Sequence, residues 1–354
     1  MKIIAVADFH LTLRETHGIT TSDGSTRLQD KLDLISQSVK YAVDNKADLY
    51  ISCGDEFDSL NPSELLRYKF IEVMAPLFEA KIPWRLIMGN HVYNAIYYNL
   101  MSEEKLLNLL GKSDFSIIST PQIEDFKGLP LVYIPWTYIK EAEEFIKNNS
   151  GIIFGHMPII GAALNDYEVL SKEGLPEYSF KDNFAFMGHY HKHQTGNNWC
   201  YIGSIARNDF SEANQTKGFI EIRIHNKELD YGFIPLKDRN FTQFDFTEPD
   251  DPFELISKYK FDGDIVKVKL KGSNKWIYSI NKLELTKKIE GNGALKVMAP
   301  DIEVVEERRE KYIFSMDSNF DDNVNKYCKD KNREDCTELM QDILTEVINS
   351  QKEL

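Results

Sequence analysis

The feature that most restricts this chain is a repeated junction, in which a short apolar run gives way to a tight polar cluster. Lys2–Ala7 runs into Asp8-Phe9-His10, and Asp48–Ser52 into Gly54-Asp55-Glu56-Phe57-Asp58. Trp84–Met88 leads to Gly89-Asn90-His91, Gly151–Phe154 to Gly155-His156, and Phe184–Met187 to Gly188-His189-Tyr190-His191. Short apolar runs bounded by turn residues read as buried strands. In α/β sheets the carboxyl ends of strands line the ligand crevice, so clusters far apart in sequence meet in space. Glycine beside the clusters permits tight turns and close backbone approach. Five of the eight histidines, His10, His91, His156, His189 and His191, fall here. Any one alone reads better as an ordinary loop or core histidine; five that follow apolar strands read as one centre.

The remaining pattern is an α/β alternation over the first 240 residues. Further strands are expected at Leu131–Ile134, Trp199–Ile202 and Gly218–Ile224, and helices at about Leu28–Asn45, Ser63–Ala80, Glu103–Leu110 and Ile139–Asn148. The acidic, proline-containing stretch Glu248–Pro252 reads as a linker. A β-α-β unit is expected after it, with strand Ile265–Leu270, helix Ile277–Ile289 and strand Ala294–Met298. Glu334–Ser350 reads as a helix with Cys336, Leu339, Met340, Ile343, Leu344, Val347 and Ile348 on one stripe. Three units follow: a catalytic domain over 1–240, a small α/β domain over 241–300, and a linker with a helical segment over 301–354.

The donor types set the chemistry. Asp8 with His10, and His189 with His191, are two residues apart and face the same way on an extended chain. Asp, Asn and His without thiolates fit Mn²⁺, Fe or Zn²⁺ better than a structural zinc site. Seven such groups exceed the needs of one ion and suit two ions about 3.5–4 Å apart, the spacing used in phosphoester hydrolysis. Cys53, Cys200, Cys328 and Cys336 form no CxxC pair and read as reduced thiols of a cytoplasmic protein. The N-terminal apolar stretch is interrupted by Asp8 and His10, so no signal peptide is expected. No apolar run approaches the roughly 20 residues of a membrane span, and no membrane partner is expected.

The ordered set Asp-x-His, Gly-Asp-x-x-Asp, Gly-Asn-His, Gly-His and Gly-His-x-His resembles the calcineurin-like metallophosphoesterase superfamily. Further matches resemble the Mre11/SbcD family of DNA double-strand-break nucleases, including its phage members. They are His10-Leu11, the Gly54–Asp58 cluster, Gly155-His156 followed by Ile160-Gly161-Ala162, and Gly203-Ser204 leading into Arg207-Asn208-Asp209-Phe210-Ser211-Glu212-Ala213. The resemblance covers roughly residues 1–225. It implies a four-layer α/β/β/α sandwich, with a small α/β capping domain and a C-terminal helical segment. It also implies two divalent ions, Mn²⁺ first among them, with Asp8, His10, Asp55 and His191 holding one. Asp55 would bridge to a second ion held by Asn90, His156 and His189. Metal-acidified water would attack the phosphorus in line, and His91 would contact the scissile phosphate and help the leaving oxygen. Asp58 is expected to orient His91 and keep it protonated; a turn-capping carboxylate is the equal alternative. Two departures stand out: Val92 where the family has an acid, and Thr12 where a glycine is common.

The formal net charge of −14 argues against a protein that coats nucleic acid by bulk charge. The charge is segregated, however. Residues 256–300 carry ten lysines against four acids, whereas 301–354 carry 15 acids against 8 basic residues. Lys258, Lys260, Lys267, Lys269, Lys271 and Lys275, with Tyr259, Trp276 and Tyr278 interleaved, would suit a DNA-facing cap. The plain alternative is a solvated strand face. The resemblance implies that the acidic tail docks on the coiled-coil root of a Rad50/SbcC-type ATPase, and packing on its own chain is the alternative. It also implies a homodimer through nuclease-domain helices, here 63–80 and 94–110. Two other functions compete with a DNA endo/exonuclease: a metallophosphoesterase for small phosphodiesters or phosphoproteins, and a non-catalytic DNA-end tether or ATPase scaffold.

Overall fold

Period-two burial shows how the chain layers itself. In β1 (Lys2–Val6), Ile4 and Val6 enter one hydrophobic core while Ile3 and Ala5 enter another, because successive side chains on a strand point to opposite faces. A computed structural model of the chain describes residues 1–59, 61–92, 114–164, 170–226, 228–305, 320–330 and 339–343. The further elements of the first 240 residues are α1 (Thr26–Asp44), β2 (Leu49–Ser52), α2 (Glu64–Glu79), β3 (Trp84–Ile87), β4 (Phe115–Ile118), β5 (Gln122–Phe126), β6 (Leu129–Ile134) and α3 (Ile139–Asn148). They continue with β7 (Ile152–His156), β8 (Phe184–Gly188), β9 (Gln194–Gly196), β10 (Trp199–Tyr201), β11 (Gly218–His225) and β12 (Glu228–Pro235).

Two six-stranded sheets result, in the orders β12-β11-β1-β2-β3-β4 and β9-β10-β8-β7-β6-β5. Strands β1 to β4 run parallel, as do β6, β7, β8 and β10. Leu28, Leu32, Ile35 and Val39 of α1, with Phe70 and Met74 of α2, cover the outer face of the first sheet. Ala142 and Ile146 of α3 pack on Val132, Ile134 and Ile153, on the outer face of the second. Between the sheets lie Ile3, Ala5, Ile51, Tyr133, Phe154 and Phe186. The layers are therefore α/β/β/α, as expected. Both long helices begin where a serine can cap them: Ser25 accepts from the Leu28 N–H and Ser63 from the Leu66 N–H.

One charged fork crosses the seam between the sheets. Arg85 on β3 donates to Glu124 on β5 through Nε (2.9 Å) and Nη2 (2.6 Å), and the Tyr133 hydroxyl of β6 donates to the same carboxylate at 2.8 Å. Burial alone would raise the Glu124 carboxyl, but the Arg85 and Tyr133 hydrogen bonds outweigh it and hold it below its ordinary value. A carboxylate depressed in the folded state contributes stability that is present above its unfolded pKa of about 4.3 and lost as pH falls further. Glu124→Gln is therefore expected to lower unfolding stability by about 1 kcal/mol at pH 7. That deficit should shrink as pH falls through the lowered Glu124 pKa, with urea unfolding across an acid pH series as the check.

The 241–300 segment contains β13 (Phe241–Thr247), α4 (Pro252–Ser257), β14 (Ile265–Gly272), α5 (Asn274–Ser279), α6 (Lys282–Gly291) and β15 (Lys296–Val297). Strand β14 pairs in parallel with β15, as the expected β-α-β unit requires. The single helix expected over Ile277–Ile289 is two. Ile280 is extended, and Asn281 restarts the helix by accepting from the Glu284 N–H. On β14, Val266, Val268 and Leu270 are buried, while Lys267 and Lys271 point to acids, Asp301 and Glu303, each at 2.6 Å. Those two lysines are already paired, which reduces the basic stripe read from the sequence.

Contacts divide the chain into two units. One comprises Met1–Phe246, Asp251–Lys269 and Asn281–Asp301; the other comprises Thr247–Asp250, Leu270–Ile280 and Ile302–Leu354. In the second unit, α7 (Phe320–Asp330) buries Val324 and Cys328, and the Cys328 thiol lies 3.6 Å from the Met340 sulfur. Of the expected helix Glu334–Ser350, residues 339–343 are described and helical, with Leu339 and Ile343 exposed. The expected helix Glu103–Leu110 and the 94–110 dimer helix lie outside the described residues. Among the described residues no helix is long and apolar enough to cross a membrane.

Candidate metal centre

The loops that follow β1 and β2 are zipped together by their backbones. Asp8, His10 and Leu11 donate N–H to the carbonyls of Gly54, Asp55 and Glu56 at 2.9–3.0 Å, and Asp58 returns one to Leu11 at 3.2 Å. To make this turn, Asp8, His10 and Asp55 take φ of 54°, 46° and 55°, and His189 after β8 takes 101°. Positive φ in non-glycine residues carries a cost of roughly 1 kcal/mol or more each, sustained only where the surroundings fix it. Gly89 leaves no room for a side chain. A Cβ there would stand 2.1 Å from Asp55 Oδ1, so only glycine lets the β3 turn pass the carboxylate.

The seven sequence-predicted donors converge in two overlapping groups. In the first, Asp8, His10 and His191 bring ligand atoms within 4.8 Å of one another, and His10 also shares such a group with Asp55 and His91. In the second, Asp8, Asp55 and His156 converge likewise. The Asn90 side-chain oxygen lies 3.0 Å from His156 Nε2 and 3.0 Å from His189 Nδ1, and Asp55 Oδ2 lies 3.1 Å from His156 Nε2. Asp55 thus faces both groups, and its other oxygen accepts the His91 N–H at 3.0 Å. The His91 ring lies 4.9 Å from the His10 ring and is half exposed at the mouth.

Each of three histidines is held from behind. The Nδ1–H of His10 donates to Asp58 at 2.8 Å, that of His191 to Glu212 at 2.7 Å, and that of His156 to the Cys53 carbonyl at 2.7 Å. These roles are assigned from the partners. Fixing Nδ1–H leaves Nε2 as the free donor atom and sets the ring direction. Asp58 makes its close hydrogen bond to His10, at 2.8 Å, and the expected partner His91 pairs with the same oxygen at 3.9 Å. The zipped loops explain the difference, since the bridge from Leu11 to Phe57 draws the next residue, Asp58, towards His10.

Electrostatics test whether cations fit. Burial disfavours a charged His156, yet the Asp55 and Asp8 carboxylates outweigh it and raise the imidazole to about 9. Asp55 resists burial, with His156 and His10 holding it well below the carboxylate range. His189 is pushed down to about 3 by burial and by His156, which leaves a neutral ring with an available lone pair. His10 Nε2 and His191 Nε2 face each other at 3.0 Å while both Nδ1 positions are committed to carboxylates. Two lone pairs at that separation need a proton or a cation between them. Cys53 is buried among these groups, but burial and Asp8 push its thiol well up, so it is no competing thiolate. The donor set of carboxylate, amide oxygen and neutral imidazole fits a pair of divalent cations.

Sequence reasoning missed the support behind the centre. Lys31 and Lys217 are both almost fully buried. Lys31 Nζ donates to the His10 carbonyl at 2.7 Å and pairs with Glu15 at 2.6 Å. Lys217 Nζ donates to the His191 carbonyl at 2.9 Å and pairs with Glu212 at 2.7 Å. Glu212 lies in the stretch quoted for the family resemblance, which was its only signal.

Residues 1–193, more than half of the chain, match the calcineurin-like phosphoesterase family. The chain belongs to that family. The phosphoesterase is also 26% identical over 323 residues to the DNA double-strand break repair protein Mre11 of Methanosarcina mazei, covering 86% of this chain and 50% of that protein. It is 26% identical over 272 residues to the SbcD component of the SbcCD nuclease of Staphylococcus epidermidis, covering 67% of this chain and 70% of that component. Against the Methanosarcina protein, the phosphoesterase spans about half the relative's length.

Proposed function

We propose that this phosphoesterase is a Mn²⁺-dependent DNA endo/exonuclease that processes DNA ends as a homodimer with a coiled-coil ATPase of the Rad50/SbcC type. The observation that carries the nuclease reading is the extent of the likeness to Mre11, which covers 86% of the chain and so runs well past the 193 residues of the phosphoesterase match. A relative confined to the catalytic domain would favour small phosphodiesters equally. In this reading residues 241–300 face DNA and residues 301–354 bind the ATPase, with exposed Leu339 and Ile343 as contacts.

Asp8, His10, Asp55 and His191 would hold one cation, and Asp55, Asn90, His156 and His189 the other. When bound, such a pair supplies Lewis-acid charge for the phosphoryl oxygens and acidifies the attacking water. The chain's own residues do the rest. Asp58, Glu212 and the Cys53 carbonyl hold the three imidazoles so that their Nε2 atoms face the centre. His91, with its backbone anchored on Asp55 and its ring at the mouth, would contact the scissile phosphate and give a proton to the leaving oxygen.

The test is purified protein with Mn²⁺ on duplex, single-stranded and hairpin DNA, alone and with its ATPase. DNA cleavage is expected. No cleavage in either setting, beside rapid hydrolysis of a generic phosphodiester, would transfer the assignment to small substrates. His91→Ala is expected to reduce DNA cleavage by roughly 10²–10⁴-fold, with the bound Mn²⁺ unchanged by elemental analysis. Unimpaired cleavage by that variant would remove His91 from the reaction.

A further inference from the structure

Beside the centre the chain builds a cavity of about 650 Å³, lined by Trp136, Tyr138, Ile139, Lys140, Met157 and Pro158 among others. That is within the roughly 300–1,000 Å³ range of small-molecule sites. The mechanism uses none of these side chains. Trp136 is positioned from the first sheet, its N–H donating to the Met88 carbonyl at 2.9 Å, and its indole lies 5.1 Å from the His189 ring and 6.4 Å from the His156 ring. Met157 and Pro158 follow His156 directly in the chain and are buried. Tyr138 stands at the mouth with 81% of its surface exposed, a position that packing alone does not explain. Lys140 and Glu173 add one charge of each sign to the lining.

We infer that this cavity seats the nucleobase of the nucleotide next to the scissile phosphate, with Trp136 and Tyr138 as stacking surfaces. The inference rests on the DNA reading of the same centre. A base is a flat aromatic body with polar edges. Here flat aromatic walls and an apolar floor adjoin the imidazoles that face the phosphate, and Lys140 and Glu173 offer a donor and an acceptor for base edges. Stacking tolerates every base because each has a π-face, so the pocket grips a nucleotide without selecting sequence. It also discriminates against phosphodiesters that lack an arene on that side.

The test separates base recognition from cleavage. Calorimetry on the full chain with Mn²⁺ compares dAMP, 2-deoxyribose 5-phosphate and phenyl phosphate. The dAMP is expected to bind about tenfold tighter than the sugar phosphate, within the range of one stacked base. Trp136→Leu and Tyr138→Ala should each reduce that preference while leaving 2-deoxyribose 5-phosphate binding unchanged. Tyr138→Ala alters an exposed side chain, so its result does not depend on tolerance of a core change. Equal binding of dAMP and the sugar phosphate overturns the pocket, as does a preference that survives both substitutions. Phenyl phosphate binding as tightly as dAMP overturns the assignment to nucleobases. If the preference traces to Trp136 yet no DNA is cut, the nuclease reading falls and the nucleotide pocket stands. If DNA is cut and the preference is absent, the reverse holds.

Discussion

Asp55→Ala is expected to cost at least about 10³-fold in phosphodiester hydrolysis, the largest effect of any single substitution in the centre. Asp8 also enters both donor groups, but its Oδ1 stands 4.0 Å from His10 and from His156. One Asp55 oxygen stands 3.1 Å from His156 Nε2 and the other fixes the His91 backbone at 3.0 Å. Its loss would remove the proposed shared ligand and would free the loop that carries Asn90 and His91. Cation binding reports the same change without reference to turnover. A ligand that binds only the folded state stabilises it by about 2.7 kcal/mol at one hundred times its Kd. Wild-type protein should therefore gain thermal stability on titration with Mn²⁺, and the Asp55→Ala protein should gain little. A variant that keeps two bound ions by elemental analysis would show that Asp55 does not bridge.

The second large effect is expected at Lys217, over the backbone of His191. Lys217→Met leaves the Glu212 carboxylate, only 5% exposed, without its cation. Breaking a buried pair from one side costs roughly 3–5 kcal/mol. Burial pushes the Lys217 ammonium down, against the pull of Glu212. Removing both charges is a different change, because replacing a buried pair entirely is often close to neutral. The double variant Lys217→Met with Glu212→Gln should recover most of the metal-free stability in urea unfolding. It should not recover Mn²⁺ affinity, because loss of a partner that orients a ligand weakens binding by roughly 10–100-fold. Recovery of both properties would mean that Glu212 only balances charge and does not aim His191.

The architecture was legible wherever an apolar run ended in a polar turn. Each site strand was found within a residue or two, since buried parallel strands are continuous in hydrophobicity and stop abruptly. Outer strands were less visible. Gln122–Phe126 and Glu228–Pro235 both lie at sheet margins: the second begins by alternating polar and apolar side chains, and Glu124 and Asp125 break the apolar run of the first. The donors, too, were legible as residue types at strand ends. Their supports were not: Lys31 and Lys217 lie 21 and 26 residues from the histidines whose carbonyls they hold, and a buried lysine has the same letter as a solvated one. Asp58 shows the same limit in the other direction. Its proximity to the centre was readable, but its partner depended on how two loops zip together, which no spacing in the chain records.

The two sheets share the work of the centre unequally but inseparably. Asp8, His10, Asp55 and Asn90 hang from the first sheet, and His156, His189 and His191 from the second. In the proposed assignment each cation is gripped from both. The gap between the ions is then set by a spacer, the layer of Ile3, Ala5, Ile51, Tyr133, Phe154 and Phe186 between the sheets. That layer works as a gauge block: its thickness is fixed by close packing, and interiors deform little under load. Loaded cations would rivet the two plates at one edge, while the Arg85–Glu124 fork fastens them at another point. Resistance to sliding between the sheets, rather than stiffness of the ligand loops, would then hold the reacting geometry.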